Sequence, residues 1–344
     1  MQTEHAHDTR GTAPDLARTH ATLRFAFGVT VALVVCELLQ WVPTFLGPVL
    51  TAVLLVNIPV RPPLKVAVGL IAIIAAAALV ALVLSTALLP SPPIMFGVAA
   101  VVVFRALYSI AEGRKPLAPL LLLICVTTIP VIALQSPAIA ASFAYALVRA
   151  MVLAILVIWI SYLLWPRVPP PRPPGPAAPL PPDTRLKSAL LGTAILAPLM
   201  LLYLMFGITD ALPVLVATTM IVTNLDFQRG RMQALALVAG NIGGGIVALV
   251  FIVLLAMQSS LLSLTLLTAL LALAYGWRIS LGDPLAPVVL VACNATLIVF
   301  TSSLLSDTGT LSVWVTRLTQ FVVAGAFTIG MMTLLWPVKR SMAT

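Results

Sequence analysis

The chain has 344 residues, of which 61% are hydrophobic and only 8% charged, against roughly 45–50% and about 25% in an ordinary soluble domain. That balance excludes a soluble enzyme or a nucleic-acid-binding domain as the whole protein, so the net charge of +9 has to be read by position rather than by sum. A bilayer crossing needs about 20 mainly apolar residues, and runs of that kind follow one another from residue 21 to residue 337, leaving short loops and no folded extramembrane domain.

In chain order, residues 1–20 hold all three histidines, Arg10, Arg18 and several acids without an apolar stretch. They read as a disordered cytoplasmic tail and not as a signal peptide. A first set of six spans is predicted at 22–42, 44–60, 64–90, 94–111, 116–137 and 139–165, within a transmembrane repeat at 21–166. Residues 166–182 contain 10 of the 28 prolines, a composition that favours an extended spacer of about 3.1 Å per residue. The proline-rich cytoplasmic linker is therefore placed at 167–184. A second set of spans follows at 187–206, 209–225, 231–257, 260–279, 284–305 and 309–336, within a repeat at 185–337, and a cytoplasmic tail at 338–344 closes the chain.

The two sets match each other. The segment from Gly113 to Pro119, GRKPLAP, recurs as GDPLAP from Gly282 to Pro287, and LLWP closes both halves at Leu163–Pro166 and Leu334–Pro337. Cys125 and Cys293 are 168 residues apart, as are Arg149 and Arg317. Such internal periodicity indicates duplication. Because six is even, both halves enter the membrane in the same sense. The expected fold is an all-α membrane protein with about twelve transmembrane helices arranged as two parallel six-helix repeats.

Sixteen of the 19 basic residues fall on one side of this twelve-span scheme. Lys and Arg concentrate in cytoplasmic loops, which puts both termini in the cytoplasm and makes the positive charge a topological signal, with no nucleic-acid partner. Arg105, Arg149 and Arg317 are the exceptions. A charged side chain at mid-bilayer costs about 2.5–3.5 kcal/mol on insertion scales and commonly marks a pathway. Arg149 and Arg317 lie roughly 12–15 Å into their spans at 1.5 Å per residue, whereas Arg105 is close enough to the cytoplasmic end to snorkel.

Tyr145 precedes Arg149 by four residues and Gln320 follows Arg317 by three, spacings that share a helix face. Thr127, Thr128, Asn294 and Thr296 lie just beyond the paired cysteines. A guanidinium with aromatic and amide neighbours suits a planar carboxylate, which it binds through two parallel hydrogen bonds. The alternative is structural, each arginine pairing with a carbonyl or a hydroxyl. Arg149, Arg317, Tyr145, Gln320, Thr128, Asn294 and Thr296 are thus the substrate-binding candidates, and Glu37, the one acid well inside a span, is the proton-coupling candidate. The small residues of Ala75–Ala78 and of Gly240 with Gly243–Gly245 are read as packing faces. The three cysteines lack metal or disulfide spacing. No nucleotide, zinc-protease or paired-carboxylate motif is present, so neither an enzyme nor a cofactor is expected.

Several segments together resemble the fusaric acid resistance and aromatic acid exporter family. They are the basic openings ATLRFAFG and TRLKSALLG, the proline-led second spans LGPVLTAVLLVNIP and ALPVLVATTMIVTN, the basic Gly-rich RMQALALVAGNIGGG, and a final span with an internal Arg ending in LLWP. The resemblance implies a bacterial inner-membrane exporter of aromatic or other organic acids, working beside a periplasmic adaptor of the membrane-fusion type, with Arg149 and Arg317 as the arginines of the last span in each half. The proline linker stands where that family carries large cytoplasmic domains, which marks a short branch. A major-facilitator-type carrier and a non-transporting scaffold that recruits an adaptor or enzyme are the alternative readings. Partners expected are the lipid bilayer, a small organic anion and the adaptor, with a homo-oligomer left open.

Overall fold

The computed structural model describes residues 12–58, 60–113, 117–167, 181–207, 212–225, 227–258, 260–304 and 310–335. Most of the linker and the tail at 338–344 lie outside the described residues, as do Arg114 and Lys115. Among the described residues there are twelve helices and no strand: α1 (Thr12–Leu38), α2 (Leu46–Asn57), α3 (Leu64–Ala87), α4 (Pro92–Ala111), α5 (Leu117–Gln135), α6 (Pro137–Leu164), α7 (Pro182–Phe206), α8 (Leu212–Val222), α9 (Phe227–Met257), α10 (Leu261–Ser280), α11 (Ala286–Leu304) and α12 (Thr310–Leu335). Ten of these are long and apolar enough to cross a membrane, and the chain is a multi-pass, all-helical membrane protein.

The two remaining helices are shorter than the spans predicted for them. The 12 residues of α2 and the 11 of α8 make rods of only about 18 and 17 Å. Apolar composition continues past both ends of α2, but Pro43 precedes it and Pro62–Pro63 follow, and proline ends helices by removing a donor and restricting its neighbour. An asparagine bonds back one turn at the end of each short helix, Asn57, the last residue of α2, to the Val53 carbonyl at 2.8 Å and Asn224, two residues past α8, to the Met220 carbonyl at 3.1 Å. At the other extreme, α1 begins at Thr12, so the segment read as an N-terminal tail is helical over its second half. Asp15 lies in the first turn, where a negative charge meets the positive end of the helix dipole.

The helices group into two compact units, each drawing on both sequence halves. One comprises Met1–Leu70, Arg149–Pro174 and Ala239–Trp314; the other comprises Ile71–Val148, Gly175–Val238 and Val315–Thr344. In the first unit α1 packs on α2 and α10, and α11 packs on the same two helices, closing a ring of four. Its core joins Phe25, Val29 and Leu33 of α1 with Ala52 of α2, Phe251 of α9, Ala272 of α10 and Cys293, Leu297 and Phe300 of α11. The rings of Phe251 and Phe300 meet edge to face at 4.6 Å, a geometry aromatic quadrupoles favour. In the second unit α7 packs on α8 and α4, and α5 packs on the same two. Thr218 of α8 and Thr328 of α12 are fully buried there, and the Thr328 hydroxyl donates to that of Thr218 at 3.3 Å.

The glycine-rich turns of α9 serve helix packing. A Cβ on Gly240 or Gly244 would collide with Val291 or with the Ala292 backbone of α11, and one on Gly245 would overlap the Trp314 indole. The indole Nε1–H donates to the Asn241 carbonyl at 3.3 Å, while Thr296 of α11 donates to the Gly244 carbonyl at 2.9 Å. Small residues let membrane helices come this close.

Candidate functional site

In the first unit, Arg24 and Arg149 are held at the two ends of the antiparallel pair α1 and α6. The end of α1 is formed by a double hydrogen-bond closure. The Trp41 N–H donates to the Cys36 carbonyl at 2.9 Å, the Gln40 N–H donates to that of Glu37 at 3.1 Å, and Gln40 takes the left-handed conformation, φ 51°. This is the Schellman arrangement, in which one left-handed residue satisfies the last carbonyls of a helix. The turn delivers Trp41 to a fixed position, where the Arg149 guanidinium lies 4.8 Å above its ring. Arg149 Nη2 also donates to the Val42 carbonyl at 2.7 Å. A ring face and a neutral carbonyl are thus among the partners of this cation, and the residue is partly exposed.

The opposite end of the pair repeats this chemistry with the helices exchanged. Arg24 of α1 is only 4% exposed. Its Nη1 donates to the Trp165 carbonyl at 2.6 Å and to the Arg167 carbonyl at 2.7 Å, beyond the end of α6. Its guanidinium stacks 4.5 Å from the centre of the Tyr162 ring. The Tyr162 hydroxyl donates to the Ile58 carbonyl at 3.0 Å and Trp159 Nε1–H to the Pro62 carbonyl at 3.0 Å. These two bonds fix the exit of α2 at the Arg24 end, whereas Val42, at its entrance, is fixed at the Arg149 end. Arg149 and Tyr162 are about 20 Å apart along α6 at 1.5 Å per residue, which α2 and its extended flank cover. Short as it is, α2 returns the chain to the end from which α1 set out.

The sequence assigned Arg24 only to topology and missed its burial. The signal available was Tyr162 on the predicted sixth span, but nothing in the sequence links residues 24 and 162. The contact of Trp41 with Arg149 likewise joins residues that no spacing in the sequence connects.

In the second unit, Arg317 of α12 donates to the Gln320 Oε1 at 3.5 Å, a long contact one turn along the same helix. Gln320 is buried and Arg317 is partly exposed. The predicted pairing of these two residues on one face is present. Arg149 and Arg317 belong to different compact units.

The other candidates are more dispersed. Tyr145 is 66% exposed. The hydroxyls of Thr127 and Thr128 donate to carbonyls of their own helix, Leu123 and Ile124. Thr296 is buried and tied to the Gly244 and Ala292 carbonyls and to the Tyr275 hydroxyl, the last at 2.9 Å. Asn294 has its amide oxygen buried with no hydrogen-bond partner among the described residues, which is costly unless something else satisfies it. Arg105 is exposed and sits 5.9 Å from the Tyr108 ring, one turn on. Glu37 lines an open cavity of about 350 Å³ with Leu38, Gln40, Leu255, Ser260, Leu261 and Leu264, and its carboxylate makes no ion pair among the described residues. All three cysteines are buried free thiols.

A family described as a protein of unknown function, DUF2955, matches residues 21–161, which span the first six helices. No curated protein and no solved structure matches the chain.

Proposed function

We propose that the protein is a secondary transporter that exports organic anions, aromatic carboxylates foremost, as a short branch of the fusaric acid resistance and aromatic acid exporter family. One observation carries the reading. The last helix of each sequence half, α6 and α12, places an arginine inside an apolar span that contains no acid, and both arginine residues are partly exposed. Guanidinium binds a carboxylate through paired charge-assisted bonds, and the Trp41 ring beside Arg149 offers an apolar face to an aromatic body. Arg149 and Arg317 are the anion-binding residues of this reading. Glu37, in its open cavity, carries the coupling proton. The basic loops set both termini in the cytoplasm of a bacterial inner membrane, and a periplasmic adaptor receives the exported acid.

The test is flux in proteoliposomes containing the full chain, with radiolabelled benzoate as the probe. Accelerated benzoate movement over protein-free vesicles, reduced about tenfold or more by Arg149→Gln or Arg317→Gln, is the expected result, a tenfold change corresponding to about 1.4 kcal/mol. A chain that scaffolds an adaptor or enzyme gives no flux with any carboxylate. Full flux in both folded arginine variants removes these residues from the site. An unchanged pH profile in Glu37→Gln removes the proton role.

A further inference from the structure

The two compact units are built on one plan. In the first, α1 and α2 are closed by α10 and α11; in the second, α7 and α8 are closed by α4 and α5. Each unit thus combines the first two helices of one sequence half with the fourth and fifth of the other. Local geometry recurs in the same register. Gln40 and Gly207 both end their helices in the left-handed region, as do Gly113 and Gly282. The buried stripe of α4, Met95, Ala99, Val103 and Leu107, is repeated at the same four-residue spacing on α10 by Leu264, Thr268, Ala272 and Gly276.

At the last position of that stripe, large and small are exchanged. Gly276 of α10 lets the Phe25 ring of α1 lie against its backbone: a Cβ there would be 3.1 Å from the ring and 3.1 Å from the Thr22 carbonyl oxygen. In the other unit the large residue is on the fourth helix and the small one on the first: a Cβ on Gly192 of α7 would be 2.9 Å from Leu107 of α4. Pairing α1 with an α4-type helix would set Phe25 against Leu107, two large side chains where each observed interface has one large and one small. Overpacking of that kind costs about 1–3 kcal/mol, and building such a clash against the wrong partner is a recognised source of specificity.

We infer that a six-helix half is not an independent folding body, and that the α1–α2 surface of the first half is shaped to receive the fourth-and-fifth-helix pair of a second half and to reject that of another first half. The partner of residues 1–166 is the segment carrying Gly276 in the second half of the same polypeptide. The inference rests on packing and not on the transport reading.

The experiment divides the chain after residue 174 and co-expresses the two fragments with different tags. The first fragment is expected to co-purify with the second at one to one, and two differently tagged first fragments are expected not to co-purify. Gly276→Ala should weaken the pairing about tenfold, the equivalent of about 1.4 kcal/mol, and should weaken it less when the partner fragment carries Phe25→Leu, which keeps the position apolar while removing the ring. Equal association of two first fragments, or a Gly276→Ala pairing as strong as the unsubstituted one, overturns the inference. Should the divided chain fail to assemble, the same substitutions in the intact protein decide the matter through its melting temperature in detergent. Gly276→Ala must lower it, and must lower it less in a Phe25→Leu background than in the unsubstituted one; an equal loss in both backgrounds overturns the inference.

Discussion

The two ends of the α1–α6 pair use the same parts, an arginine, an aromatic face and a carbonyl beyond a helix end, and reach different states. At one end Arg24 is sealed in, with two carbonyls and the Tyr162 ring around it. At the other, Arg149 rests on the Trp41 ring and the Val42 carbonyl and remains partly open. A buried cation whose donors are spent on backbone holds helices together. The same cation left accessible can hold a ligand as well, so exposure, more than residue type, separates a clasp from a candidate site.

The sharpest way to break this comparison is Arg24→Gln. The buried Arg24 position would lose its charge-assisted bonds to the Trp165 and Arg167 carbonyls, each worth about 1.5–3 kcal/mol, and folded yield and melting temperature in detergent should fall steeply. If Arg24→Gln melts like the unsubstituted protein, the clasp is not structural. Arg149→Gln should act the other way round, lowering carboxylate affinity about tenfold, or about 1.4 kcal/mol, while the melting temperature moves less than in Arg24→Gln. Equal destabilisation by both substitutions would make the two ends alike and remove the distinction. Tyr162→Phe keeps the ring over Arg24 and deletes the bond to Ile58, which should cost about 1 kcal/mol in thermal stability and leave transport intact. The smallest effect is expected at Gln40, whose φ of 51° suits glycine better. Gln40→Gly should raise stability by a few tenths of a kcal/mol, since glycine is the usual residue at this helix-ending position, and a loss there would show that the bond from its side-chain amide to the Glu37 carbonyl outweighs the backbone preference.

Much of the helix inventory was legible before the structure, because bilayer thickness converts apolar run length directly into helices. Twelve spans were expected, and twelve helices occur among the described residues. The lengths of α2 and α8 were less legible; for α2, hydropathy counts apolar residues without regard to whether Pro43, Pro62 and Pro63 allow them to be helical. Gly240, Gly244 and Gly245 of α9 serve packing as read, because small residues in apolar helices have few other uses, whereas a Cβ on Gly243 would meet open space. Arg317 with Gln320 was readable from a spacing of three on one helix. Arg149 with Val42, more than a hundred residues apart, was not, and neither was Arg24 with Tyr162.

The sequence by itself determined that this chain lies in a membrane, how many helices it forms, and which few charges stand inside them, since composition and run length are local properties weighed against a solvent of known thickness. Only the tertiary structure decided which helix meets which. Helices that are apolar on every side carry no amphipathic stripe to declare their partners, so the exchange of helix pairs between the sequence halves depends on shape, such as Phe25 against Gly276 and Leu107 against Gly192. The same holds for the arginines: the sequence placed them on helices, and the fold determined which one was enclosed.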